Sequence, residues 1–274
     1  MKETIVNNQQ VFSASDGCRI AYYVGDFTDP WTHPPPILLL HSAMGNSRRF
    51  FAMVPPLARR HPVVRMDLRG HGASQTPAPD DPFSLERLTR DAMELLDHLG
   101  IRQAHIVGNS AGGYVAQQIA IHHPDRTLSL TTYGSTPGLN PAALDWLPQM
   151  QKEGYTPFLA RTIHMRFDLQ RTDPALVQWF LKQTAECDPA FVARFITHMA
   201  SRAWGEDLAR IRCPVLVVYP GEETVGGTDG YEPYRRHVKD LRILEYEHMP
   251  HNICDMAPER CAADLIAFLH ERFG

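Results

Sequence analysis

Gly108-Asn109-Ser110-Ala111-Gly112 is a G-x-S-x-G sequence set between the apolar run Ala104-His105-Ile106-Val107 and the helical pattern Tyr114, Val115, Gln118, Ile119. In a strand–turn–helix context such a sequence holds its serine on a sharp turn with positive φ and leaves the hydroxyl exposed. Side chains two positions away on either side would collide, and Gly108 and Gly112 remove them. Ser110 then lies at the carboxyl end of a strand and at a helix N-terminus, where developing negative charge is favoured. A serine hydroxyl is a poor nucleophile, so a neutral imidazole must take its proton as it attacks an acyl carbon. His251, in the loop Met249-Pro250-His251-Asn252 after a strand-like run, is the candidate base. The oxygen of the tetrahedral intermediate needs backbone N–H donors, each removing about 2.7–4 kcal/mol of barrier. Ala111, the residue after the serine, supplies one by position, and Ala43, after the third strand, supplies the other.

These residues need a scaffold, and the chain alternates strand and helix patterns that can provide one. Val11–Val24 reads as two antiparallel strands with a turn at Asp16-Gly17, and Ile37–Leu40 as a buried strand. A helix is expected over Ser47–Arg60, then a strand at Val63–Met66 and the loop Asp67-Leu68-Arg69-Gly70-His71-Gly72. Ser84 caps a helix whose apolar face is Leu85, Leu88, Ala92, Leu95, Leu96 and Leu99, and Gly100 ends it. Strand 104–107, the serine turn and a helix to about His122 form the next unit, followed by a strand at Leu128–Tyr133. From Thr136 to Trp204 only helical patterns appear; strands return at Val215–Tyr219 and Leu241–Tyr246, with a last helix at Pro258–Arg272. This order implies an α/β fold, a mostly parallel sheet covered by helices on both faces. Residues 1–135 and 206–274 would form the core, and 136–205 an inserted helical lid.

Composition removes several other classes. The 274 residues suit one large α/β domain, with 43% hydrophobic and 21% charged residues as in ordinary globular proteins. A formal charge of −4, with no basic run, argues against nucleic-acid binding. Met1-Lys2-Glu3-Thr4-Ile5-Val6-Asn7-Asn8 has no apolar leader region, and runs such as Ile37–Leu40 are too short for a membrane span. Five scattered cysteines without a C-x-x-C pair read as reduced thiols of a cytoplasmic protein. His122-His123, or His248 with His251, lack acidic or cysteine partners at helical spacing, so no metal is expected, and nothing calls for a cofactor. The oligomeric state stays open, a homodimer among the options.

The chain resembles the α/β-hydrolase fold family from about Val11 to its C-terminus, with markers in the family's order. His41-Ser42-Ala43-Met44-Gly45 matches the oxyanion loop, Asp67–Gly72 the turn after the fourth strand, Ser110 the nucleophile and His251 the catalytic histidine. Within the family it is similar to 3-oxoadipate enol-lactonases: Ser42 in the second loop position, Arg69-Gly70-His71-Gly72-Ala73-Ser74, and Leu95–Ile101 carry the likeness. The family's acid usually stands three residues after the glycine ending the seventh strand. Here Gly221-Glu222-Glu223-Thr224-Val225 puts Thr224 at that place. Glu223 and Asp229 are the candidate acids, and a Ser–His dyad helped by a hydroxyl or water is the alternative. The resemblance implies a lid-covered serine hydrolase of a small ester or lactone, one that could carry a carboxylate. Two other readings stand beside it: a C–C bond hydrolase of ring-cleavage products, and a non-catalytic ligand-binding relative. Asn252 stands where C–C hydrolases commonly carry Trp. Ser42, Trp146 and Arg161 are the candidate substrate contacts; Arg166 and Arg194 read as solvated lid charges, with a minority reading in which one of the lid arginines grips a substrate carboxylate.

Overall fold

The computed structural model describes residues 8–138 and 145–274. The first eight-residue stretch, apart from Asn8, and residues 139–144 of the expected lid lie outside the described residues. Among the described residues eight strands form one sheet in the order β1-β2-β4-β3-β5-β6-β7-β8. They are β1 (Gln10–Ser13), β2 (Arg19–Gly25), β3 (Ile37–Leu40), β4 (Val63–Met66), β5 (Ala104–Asn109), β6 (Thr127–Tyr133), β7 (Val215–Pro220) and β8 (Leu241–Tyr246). β1 pairs antiparallel with β2, and β2 with β4; every pair from β4 to β8 is parallel.

The apolar runs follow from burial on both faces, because alternate residues of a strand enter different cores. Leu38, Leu40, Val64, Met66, Ala104 and Ile106 point to one core, covered by α2 (Leu85–His98) and α3 (Ala111–His122). Ile37, Leu39, Val63, Val107, Leu216 and Val218 point to the other, covered by α1 (Val54–Ala58) and α10 (Pro258–Phe273). The Ser84 hydroxyl accepts from the Arg87 N–H, so α2 starts where its cap residue lies. The expected helix over Ser47–Arg60 is broken. A 3-10 turn covers Ser47–Phe50, and α1 starts at Val54. Pro55 and Pro56 lack the N–H that a continuous helix would need and their rings exclude the carbonyls one turn earlier.

Between β6 and β7 the described residues carry four α-helices: α4 (Trp146–Glu153), α5 (Tyr155–Arg161), α6 (Pro174–Ala185) and α7 (Pro189–Ala200). Met150, Tyr155, Phe158, Leu159, Val192 and Ile196 of this segment form a cluster with Met44 of the loop after β3. The helical segment therefore packs on the carboxyl ends of the strands, the edge where Ser110 lies. The other α-helices among the described residues are α8 (Glu232–His237) and α9 (Ile253–Met256). No helix among the described residues is long and apolar enough to cross a membrane.

Candidate active site

Ser110 joins β5 to α3 with φ 52° and ψ −118°, in a region L-residues rarely enter. Its neighbours hold it there. The Ser110 N–H donates to the Tyr133 carbonyl at 2.8 Å, and the Ser110 carbonyl accepts from Ser135 Oγ at 2.8 Å. A Cβ on Gly108 would lie 2.4 Å from the Gly112 carbonyl oxygen, and one on Gly112 would lie 2.1 Å from the Leu40 carbonyl oxygen. The two glycines thus let α3 approach β3 and β5 closely enough to form the turn.

His251 Nε2 lies 3.1 Å from Ser110 Oγ, and His251 Nδ1 lies 2.8 Å from Glu223 Oε2. Glu223 is buried after β7, and its other oxygen accepts from the Val225 and Gly226 N–H groups at 2.8 and 3.1 Å. Burial alone would raise its pKa. The charge and hydrogen bond of His251, with those two backbone donors, outweigh burial and hold the carboxyl below its ordinary value. Thr224 and Asp229, the other candidates beside His251, are exposed. The loop therefore reaches the histidine one residue earlier than the family's usual spacing, by a longer side chain.

The two candidate donors are placed by different means. Ala111 is the first residue of α3, so its N–H is among the unpaired donors of a helix start. Ala43 depends on His41. The Leu68 N–H donates to His41 Nε2 at 2.8 Å, which leaves the ring proton on Nδ1, and Nδ1 donates to the Ser42 carbonyl at 2.7 Å. A trans peptide directs its N–H opposite its carbonyl, so fixing the Ser42 carbonyl also fixes the Ala43 N–H. Burial pushes the His41 imidazole down to about 4, keeping it neutral in this bracing role. Asp67 ties the neighbouring loops by accepting from the Ser47 and Ala73 N–H groups at 2.7 and 2.9 Å. Arg69 makes a buried paired contact with Asp91, 2.8 Å at each oxygen. A second buried pair joins Arg49, beyond the Ala43 loop, to Asp255 of α9, just after His251.

Ser110, His251, Ala43 and Ala111 line one cavity of about 60 Å³, together with Ser42, Trp146, Arg166 and Asn252. Apolar side chains such as Met44, Tyr114, Phe180, Phe195 and Met199 complete its wall. Ser42 and Trp146, expected as substrate contacts, are there. Arg161 is not: it is exposed and held by Glu153 at 2.5 Å and Gln149 at 3.1 Å on the outside of α5. Arg166, read from the sequence as a solvated charge, is buried in the cavity wall instead. Nothing local separates the two, since neither has an acid three or four residues away. Phe195 and Met199, one turn apart on α7, were legible only as an apolar face. Among the described residues no group of three or more His, Cys, Asp or Glu side chains could hold a metal ion.

A serine on a strained turn, a histidine within reach of its hydroxyl, a carboxylate on the far ring nitrogen and two oriented N–H groups are the parts that acyl transfer requires. A family model described as alpha/beta hydrolase fold matches residues 35–220. The chain is 28% identical over 223 residues to 3-oxoadipate enol-lactonase 2 from Acinetobacter baylyi, covering 78% of this chain and 82% of that protein. It is 40% identical over 91 residues to a putative carbamate hydrolase from Caulobacter segnis, where the match spans only 34% of that protein and 33% of this one. A hydrolase from Pseudomonas aeruginosa of known structure superposes with a TM-score of 0.84 at 28% identity, covering 96% of this chain and 98% of the other.

Proposed function

The chain belongs to the α/β-hydrolase fold family, and from that premise we propose that it is a serine hydrolase of small esters or lactones working through an acyl-enzyme. The observation that carries the proposal is the unbroken line Ser110–His251–Glu223, with contacts of 3.1 and 2.8 Å. In the first half-reaction Ser110 Oγ attacks the acyl carbon while its proton passes to His251 Nε2. The imidazolium that forms faces the Glu223 carboxylate, already ionised and buried beside it. The acyl oxygen becomes an oxyanion and takes hydrogen bonds from the Ala43 and Ala111 N–H groups. Collapse breaks the bond to the leaving alkoxide, which takes the proton from His251. Water then attacks the acyl-enzyme carbon while His251 Nε2 takes one of its protons. The second tetrahedral intermediate collapses by breaking the bond to Ser110 Oγ, which recovers that proton from His251 as the acid leaves.

The helices α4 to α7 act as a lid in this reading, because side chains from Trp146 to Met199 form much of the cavity wall. A cavity of about 60 Å³ has room for a few water molecules or a short acyl group, and not for a long fatty chain. Short p-nitrophenyl esters should therefore turn over faster than long ones, with a burst of p-nitrophenol showing the acyl-enzyme. A fluorophosphonate probe should label Ser110 alone, and Ser110→Ala should lower kcat by about 10⁴-fold or more. Labelling at another serine, or near-normal turnover in the variant, would overturn the proposal. Consumption of a ring-cleavage diketone, with every ester and lactone refused, would replace it by C–C bond hydrolysis.

A further inference from the structure

Arg166 presents a charge that the fold does not balance. Its residue is 4% exposed, its Nη1 has no hydrogen-bond partner, and it has no ion-pair partner among the described residues. A buried guanidinium in this state is unusual, since buried charges are almost always paired. The other buried arginines nearby show the ordinary arrangement: Arg49 is paired with Asp255 and Arg69 with Asp91. Glu223 is within electrostatic reach of Arg166, but its two oxygens are already occupied by His251, Val225 and Gly226.

The position of this charge is fixed relative to Ser110. The Asn252 N–H donates to the Arg166 carbonyl at 3.0 Å, and the His251 N–H donates to the Met165 carbonyl at 3.4 Å. The segment carrying Arg166 is thereby bonded to the loop carrying the histidine. The guanidinium lies 5.8 Å from the centre of the Trp146 ring, which is itself in the cavity wall. A second unpaired donor lines the same cavity: Asn252 Nδ2 is buried without a partner. Ser110, His251, Arg166 and Asn252 thus share one small, mostly apolar enclosure.

We propose that Arg166, assisted by Asn252 Nδ2, is the receptor for a carboxylate carried by the substrate, so that the enzyme acts on short esters or lactones of acids bearing a second, free carboxylate. A planar carboxylate can accept from the guanidinium fork and from the amide at once, which satisfies both orphan donors and cancels the buried charge. The ring of Trp146 holds the guanidinium face, leaving its edge for the anion. This refines the hydrolase proposal above and rests on it for the reacting group, while the anion site is testable without turnover.

Propionate and propionamide are matched in size and differ in charge, so their binding to the whole protein isolates the electrostatic contribution. By calorimetry or ligand-observed NMR at constant ionic strength, propionate should bind at least 10-fold more tightly than propionamide. In Arg166→Met that ratio should fall to within about twofold of unity, and Arg166→Lys should keep an intermediate value because it retains the charge without the fork. Equal binding of the two probes by the wild-type protein would overturn the proposal even if no variant folded. So would a preference for propionate that survives in folded Arg166→Met, since the anion would then sit on the donors beside Ser110. Fluorophosphonate labelling of Ser110, measured separately, reports on the hydrolase proposal, so failure of one leaves the other readable.

Discussion

Glu223→Gln tests the least expected part of the site, and the structure sets its magnitude. Gln has nearly the shape of Glu but presents one acceptor and one donor where the carboxylate presents two acceptors. One Glu223 oxygen receives the backbone N–H groups of Val225 and Gly226, and the other faces His251 Nδ1. If the amide carbonyl turns toward the histidine, its NH2 meets two donors and both backbone bonds are lost. If the carbonyl stays with the backbone, its NH2 faces Nδ1, which must then be unprotonated. That places the ring proton on Nε2, against Ser110 Oγ, where the ring cannot accept the serine proton. The second orientation keeps two bonds and is favoured, so most of the enzyme should hold the wrong tautomer. The loss in kcat should be about 10³–10⁴-fold, equivalent to about 4–5.5 kcal/mol of barrier. KM for a short p-nitrophenyl ester should change by less than about threefold, because Glu223 does not line the cavity. The assay is single-turnover release of p-nitrophenol with circular dichroism to check the fold. A variant retaining more than a tenth of wild-type kcat, while Ser110→Ala and His251→Ala are inactive, would refute the tautomer argument and favour a dyad.

Other perturbations follow from the same geometry. Thr224→Asp in the Glu223→Gln background should restore no more than a few-fold of the lost kcat, because Thr224 is exposed while Glu223 is buried; recovery to near wild-type rates would show that the loop can shift to the family's usual acid position. His41→Ala should lower kcat by about 10²-fold with KM nearly unchanged, by freeing the Ser42 carbonyl and the adjoining Ala43 N–H; a KM effect alone would contradict a bracing role. His41, His71 and His105 are held down by burial to about 4, 3 and 3, so the unfolded chain takes up protons that the folded one refuses. Their contribution to stability is complete above about pH 6.5 and is lost as pH falls toward those values, with a slope approaching about 4 kcal/mol per pH unit for three protons; urea unfolding at pH 7, 5.5 and 4.5 measures it, and His105→Gln should reduce the slope by about a third. Burial likewise brings the folded Arg166 down to about 10, so its charge opposes folding at neutral pH, and Arg166→Met should raise Tm by several degrees in the absence of ligand.

The strands and the serine turn were legible because their causes are local. Glycines at 108 and 112, an apolar run before them and a helix pattern after them leave few other structures for that stretch. The buried runs at 37–40, 63–66 and 215–219 could be read as strands for the same reason, each bounded by loop residues. The broken helix at 47–60 was also written locally, in Pro55-Pro56, and its apolar spacing obscured it. The candidate acid and candidate substrate contacts were not local in this sense. Glu223 and Thr224 differ only in which one turns inward, a choice made by the Val225 and Gly226 N–H groups that capture a carboxylate oxygen from the following turn. Arg161 and Arg166 are five residues apart on the same helical segment, each without an acid at helical spacing. What divides them is the end of α5 at Arg161 and the 3-10 turn at Ile163–Met165, which carries the chain inward to the Asn252 loop. One arginine thereby stays with Glu153 in solvent, and the other enters the cavity without a partner. A side chain's electrostatic role here is set by which distant loop its backbone is bonded to, information that spacing along the chain does not hold. The unpaired charge also runs against what folding alone would favour, and that conflict is the ground on which the proposed carboxylate receptor rests.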